Sequence, residues 1–143
     1  MADLDLTRIL VPGTAAGELV VLEEPLSLWG GLDPATGTLL DAHHPQAGAA
    51  LAGCIVAMPS GRGSSSSSYV LAEAIRSGVA PAAFLLREAD AIVALGAVVA
   101  AELYGVEVPV VVLDRETYAS LAAGSRLEVV AGPDDRLTLT AIA

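Results

Sequence analysis

One stretch of the chain has residue types and spacing that could do chemistry: Gly61, Arg62 and Gly63, followed by five serines, Ser64 to Ser68. An apolar run, residues 54–58, and then Pro59 precede it. Residues 69–76 follow, with Val70/Ala74 and Leu71/Ile75 at helical spacing. Strand, Gly/Ser loop and helix N-terminus in that order present backbone N–H groups to an anion. They also put a serine hydroxyl where the helix dipole favours its ionised form. The loop is thus a candidate anion cradle that carries a candidate catalytic serine. Ser64 and Ser65 lie nearest its mouth, whereas Ser67 or Ser68 suits capping of the helix. A flexible serine linker is the bland alternative, but linkers rarely join a buried strand to an amphipathic helix.

Arithmetic limits what such a loop does alone. A serine alkoxide at neutral pH is unfavourable by roughly 8 kcal/mol, and a helix terminus offers at most about 2 kcal/mol. Other donors, a cation or a metal must supply the rest. The Gly-x-Ser-x-Gly pattern of ordinary serine hydrolases is absent. Arg62, in the same loop, suits either a solvated bracing charge or a bidentate contact to a carboxylate or phosphate.

Two further groups deserve a chemical reading. Trp29, Gly30 and Gly31 form either a packed turn with a buried indole or a wall of the site, the glycines allowing close approach of a substrate. His43 and His44 are the two histidines. With Asp33 and Asp41 nearby their spacing does not favour zinc. Hydrogen bonds that tie the long loop together are the preferred role for His44 and Asp33, and no metal ligand is assigned in this chain. The single cysteine, Cys54, excludes an internal disulfide and a self-contained iron–sulfur site, and reads as a small buried strand residue.

The elements that must position these residues follow from composition and pattern. The chain of 143 residues has the size of one domain, 1–143. It is 54% hydrophobic and only 3% aromatic, so its core is built from Ala, Val and Leu. Net charge is −10, which argues against nucleic acid and anionic membranes as partners. All seven basic residues are arginine, a hint of GC-rich bacterial coding. No secretory leader or membrane span is apparent, and the expected compartment is the cytoplasm.

Strands are expected over residues 4–11, 18–23, 54–58, 82–86 and 108–113, with a short strand-like segment at 38–41. Residues 26–37 read as an ordered loop and 46–53 as a short helical turn. Helices are expected over 69–76, 96–104 and 115–121, with 91–95 as a separate apolar segment. Residues 126–131 and 137–142 form a closing hairpin around 132–135. The fold class is α/β: a mixed, mainly parallel core sheet with helices and a second small β layer.

Several of these segments together resemble the aconitase X small subunit family: PLSLWGGLDP at 25–34, His44-Pro45 with Gly48, PSGRGSS at 59–65, LAE at 71–73, APA at 80–82 and ALGA at 94–97. The resemblance covers nearly the whole chain. It implies a swivelling β/β/α domain, the small half of a two-chain hydro-lyase, with an iron–sulfur cluster or iron held by the large subunit. It implies a small hydroxy acid as substrate: cis-3-hydroxy-L-proline in bacterial members, mevalonate 5-phosphate in archaeal ones. Gly63-Ser64-Ser65 is similar to the Gly-Ser-Ser of aconitase swivel domains, whose first serine is the base, so the resemblance makes Ser64 the catalytic base. Aconitases carry an arginine after the serine pair, where Ser66 stands here. Arg62 or the large subunit then supplies that cation. The implied substrate-binding residues are Arg62, Gly63, Ser65, Ser66, Gly30 and Gly31. The implied chemistry is proton removal by Ser64 with iron assisting loss of hydroxide. A non-catalytic swivel module that binds a partner is the alternative of another class.

Overall fold

The computed structural model describes residues 6–142. Seven strands, β1 (Arg8–Val11), β2 (Gly13–Val21), β3 (Ile55–Met58), β4 (Ala83–Leu86), β5 (Val110–Val112), β6 (Arg126–Ala131) and β7 (Leu137–Ile142), form one sheet in the order β1-β5-β4-β3-β2-β6-β7. β2, β3, β4 and β5 run parallel, whereas β1, β6 and β7 each pair antiparallel with their neighbours. Between them lie a single distorted turn, α1 (Leu28–Gly31), and three helices, α2 (Ser67–Arg76), α3 (Ala91–Tyr104) and α4 (Arg115–Ala119).

β2 is where the sheet divides. Its second half, Leu19 to Val21, pairs with β3, while Gly13 to Glu18 pair with β6. The sheet curls there into a half-barrel, and two apolar layers result. Val56, Met58, Phe84, Leu86, Val110 and Val112 point to the face covered by α2 and α3. Their chain neighbours Ile55, Ala57, Ala83, Leu85 and Val111 point to the opposite face and meet Leu127, Val129 and Ala131 of β6. A strand buried on both faces reads as continuous apolar sequence, which is why β3, β4 and β5 were legible. This β/β/α layering is the expected fold class.

Other expectations need correction. Residues 4 and 5 of the strand expected over 4–11 lie outside the described residues, and β1 begins only at Arg8. β2 starts five residues before the expected 18, because Gly13 to Gly17, turn-like in composition, are held by their ladder to β6. Residues 38–41 form only isolated bridges, Leu32 to Leu39 and Thr38 to Ala50. Residues 46–53 form hydrogen-bonded turns rather than a helical turn. The apolar segment 91–95 and the helix 96–104 are one helix, α3, started by Asp90 and closed by Gly105 at φ 68°. α3 is apolar on every side, so helical periodicity had no contrast to show. Cys54 stands one residue before β3 and is half-buried; burial, with Glu18 nearby, pushes its thiol up.

Asp114 ties the end of β5 to α4. Its Oδ1 accepts from the Thr117 N–H at 2.7 Å, and its Oδ2 accepts from the hydroxyls of Thr117 and Thr7, each at 3.0 Å. The Thr117 bonds and then the Thr7 bond hold its carboxyl below the ordinary 3.8. The tie therefore contributes fully above that value and is lost as pH falls below it. Asp114→Asn is expected to flatten the acid limb of thermal stability below about pH 4, measured as melting temperature against pH beside the parent chain.

Candidate active site

β3 ends at Met58, and the chain turns through Pro59 and Ser60 into the Gly/Ser loop before entering α2 at Ser67. Two neighbouring segments hold the loop. A parallel bridge joins Gly61 to Leu26, and the hydroxyl of Ser67, 4% exposed, accepts from the Trp29 N–H at 3.0 Å. The loop and the Trp29 turn are therefore one structural unit. Gly63 has φ 87°, a conformation that suits glycine, and a Cβ there would meet Ser27 Oγ at 3.2 Å.

The serines divide their work. Ser64 is half-buried; its Oγ accepts from the Ser66 N–H at 3.0 Å and its carbonyl accepts from the Ser67 N–H at 3.0 Å. The Ser68 hydroxyl donates to the Ser65 carbonyl at 3.0 Å. No serine side chain caps α2: Ser66, at the N-cap position, is already helical at φ −66° and ψ −12°. The expected capping by Ser67 or Ser68 thus gives way to a lock on the Trp29 turn. Arg62, Gly63, Ser65 and Ser66 are exposed around Ser64.

The Trp29 turn departs from the buried-indole reading. Trp29 (φ −71°, ψ 116°) and Gly30 (φ 78°, ψ −14°) are the central residues of a type II turn, and Trp29 is 58% exposed. Its backbone, not its ring, serves the serine loop. A Cβ on Gly30 would meet nothing within 4 Å, so that position is open. Gly31 is buried instead, and a Cβ there would fall 2.8 Å from Leu26 Cδ1. Its bareness serves packing of the turn.

The histidine expectation is met. His44 Nδ1 accepts from the Gln46 N–H at 3.0 Å, which leaves Nε2 to donate to the Glu24 carbonyl at 3.1 Å. Asp33 Oδ1 accepts from the Ala35 N–H at 2.8 Å. Among the described residues no group of three or more His, Cys, Asp or Glu could hold a metal ion. Glu73, one turn into α2, forms an exposed ion pair with Arg76, whose guanidinium holds its carboxyl down.

Sequence reasoning missed Asp90. Its Oδ1 accepts from the Ile92 and Val93 N–H groups at 2.9 and 3.0 Å. It lines a cavity of about 10 Å³ together with Arg62, Ser64 and Ser67 over Leu26 and Val93, roughly the space of one water. An Asp at the head of an apolar run is an N-cap signal. Reading 91–95 as a separate segment hid it.

Chemically, the loop offers a serine oxygen that already accepts a backbone N–H, a bond that favours its charged form. The Gly63 and Ser65 N–H groups donate to no described residue. A guanidinium stands beside them at Arg62. At the end of the parallel strand β3, these N–H groups and the guanidinium are chemically able to hold a small anion.

The chain matches the family model described as aconitase X swivel domain over residues 6–139. It belongs to that family. It is 50% identical over 122 residues to cis-3-hydroxy-L-proline dehydratase of Pseudomonas aeruginosa, covering 85% of this chain and 21% of that protein. It is 40% identical over 124 residues to the phosphomevalonate dehydratase small subunit of Thermococcus onnurineus, covering 87% of this chain and 89% of that subunit. It superposes on the crystal structure of Thermococcus kodakaraensis aconitase X (holo-form) with a TM-score of 0.82 and 33% identity, covering 96% of this chain and 97% of that chain. The chain thus spans about a fifth of the hydroxyproline dehydratases it matches and most of the phosphomevalonate dehydratase small subunits.

Proposed function

We propose that this chain is the small subunit of a hydro-lyase that dehydrates cis-3-hydroxy-L-proline, with Ser64 as the base. The observation that carries this reading is the Ser64 Oγ, half-buried at the head of α2 and already accepting a backbone N–H at 3.0 Å. In the proposed step Ser64, as alkoxide, takes the proton α to the substrate carboxylate. The C–H electron pair forms the carbon–carbon double bond and hydroxide leaves the adjacent carbon, so proton and hydroxide together amount to one water. The Gly63 and Ser65 N–H groups and Arg62 are assigned to the carboxylate, and Gly30 to the wall beside it; Gly31, buried against Leu26, is not part of that wall. Ser66 contributes its N–H to Ser64 rather than to the substrate.

The described residues do not fit an iron–sulfur cluster or an iron ion. We assign that group to a large subunit, whose presence the small-subunit relatives support. Closing this domain over the partner would exclude water from the loop.

Mevalonate 5-phosphate is the second reading, favoured by the near full-length match to the Thermococcus onnurineus subunit. It also loses a proton α to a carboxylate and a β-hydroxyl, so the same loop serves. Its phosphate needs a further cation, and Arg62 is the one this loop offers. The discriminating experiment is dehydration of both compounds by the chain co-purified anaerobically with its large subunit. Turnover of cis-3-hydroxy-L-proline supports the first reading, and turnover of the phosphate alone replaces it with the second.

Arg62→Ala is expected to raise KM for cis-3-hydroxy-L-proline about ten-fold or more, the value of a charged hydrogen bond, while kcat stays within about three-fold. Steady-state kinetics of the complex measures the split. An unchanged KM removes Arg62 from the carboxylate.

A further inference from the structure

We infer that Asp90 is a positioning residue that holds the serine loop in its working geometry through Gly61, an inference that rests on the reading of Ser64 as the base. Gly61 is not required by backbone conformation, since its φ is not positive. It is required by space: a Cβ at 61 would fall 2.3 Å from Asp90 Oδ2, 3.0 Å from its Cγ and 3.2 Å from Val93 Cγ2. The carboxylate cannot swing away at no cost. Its Oδ1 is held by two N–H groups of the first turn of α3, which leaves Oδ2 seated on the bare Cα of Gly61. From the other side the bridge to Leu26 holds Gly61.

The root of the loop is thereby clamped three residues before Ser64, and Asp90, Ser64 and Ser67 line one small cavity. Capping α3 explains a short polar residue at 90, since Ser or Asn caps as well as Asp. It does not explain why residue 61 has no side chain. A contact between the two positions explains both. A shift of about 1 Å at a catalytic group costs on the order of a hundred-fold in rate, so loss of the clamp falls mainly on kcat, with a smaller rise in KM as Arg62 and Gly63 shift with the root of the loop.

The test uses the assembled complex and four variants of this chain. Gly61→Ala is expected to lower kcat at least ten-fold with KM within three-fold. Asp90→Ser keeps the cap and adds no bulk. It is expected to lower kcat about five-fold with KM within three-fold and melting temperature held within a few degrees. The double variant Gly61→Ala/Asp90→Ser, in which the new methyl takes the vacated space, is expected to recover kcat at least three-fold over Gly61→Ala. Wild-type kcat in either single variant, or no recovery in the double variant, overturns the inference. Should Gly61→Ala fail to assemble, Asp90→Ser decides alone by the same kcat and KM criteria. Ser64→Ala is run beside them. An inactive Ser64→Ala with an unaffected Gly61→Ala sinks the clamp alone, whereas an active Ser64→Ala sinks the base reading.

Discussion

Ser64→Ala is expected to reduce kcat by at least about a thousand-fold, within the range a positioned general base contributes, with the complex still assembled and its melting temperature unchanged within a few degrees. The expectation of a large catalytic loss follows from the geometry. The hydroxyl is half-buried, its Oγ accepts from the Ser66 N–H, and no other serine of the run presents the same arrangement. Ser67 is locked to Trp29, and Ser68 donates back to the Ser65 carbonyl. The expectation of a small structural loss follows as well, since Ser64 Oγ makes one short-range bond and the Ser64 carbonyl, which accepts from Ser67, is untouched by the change. Anaerobic steady-state kinetics with a thermal melt on the same preparation measures both. Turnover within ten-fold of the parent removes Ser64 from the chemistry.

Gly96→Val is expected to destabilise the chain by about 3 kcal/mol, the upper end of overpacking costs, and to lower the melting temperature by roughly 6–12 °C. Gly96 of α3 packs directly against α2. A Cβ there would meet the Ser68 carbonyl oxygen at 2.8 Å and Leu71 Cβ at 3.0 Å. The first is backbone and cannot rotate aside, so the helices must separate. Helix propensity runs the other way, since Val is the better helix former, but only by a few tenths of a kcal/mol. Because Ser68 is the last residue of the serine run, the separation reaches the loop, and activity should fall before global unfolding. A calorimetric melt beside the kinetics tests this; an unaltered melting temperature would mean that the helices can part without cost.

How much of this was legible in the sequence varies by element. β3, β4 and β5 were readable because burial on both faces leaves runs such as Ile55 to Met58 with no polar residue. The β6–β7 hairpin was readable from its turn chemistry, and Asp134 and Asp135 there do adopt φ 68° and 55°. The start of α3 was not, because a helix that is apolar all round carries no period. The first half of β2 was not, because Gly13 to Gly17 become a strand only through pairing with β6, more than 100 residues away in sequence. In the site, the serine loop stood out by composition alone. Its partners did not. The Ser67–Trp29 bond and the Gly61–Asp90 contact join segments about 30 to 40 residues apart, and nothing local in either segment announces them. Trp29 was expected either buried or lining the site. An exposed indole beside an open loop agrees with a surface that a partner covers.

Whether this chain supplies the proton-abstracting loop to a site completed by a partner is tested by a reconstitution titration. The large subunit is purified anaerobically without this chain, and loss of water from cis-3-hydroxy-L-proline is followed as the chain is added. No turnover is expected at the start, then a rise to saturation with the parent chain, and no rise with the Ser64→Ala chain. Turnover by the large subunit alone, or equal activation by the Ser64→Ala chain, would contradict it.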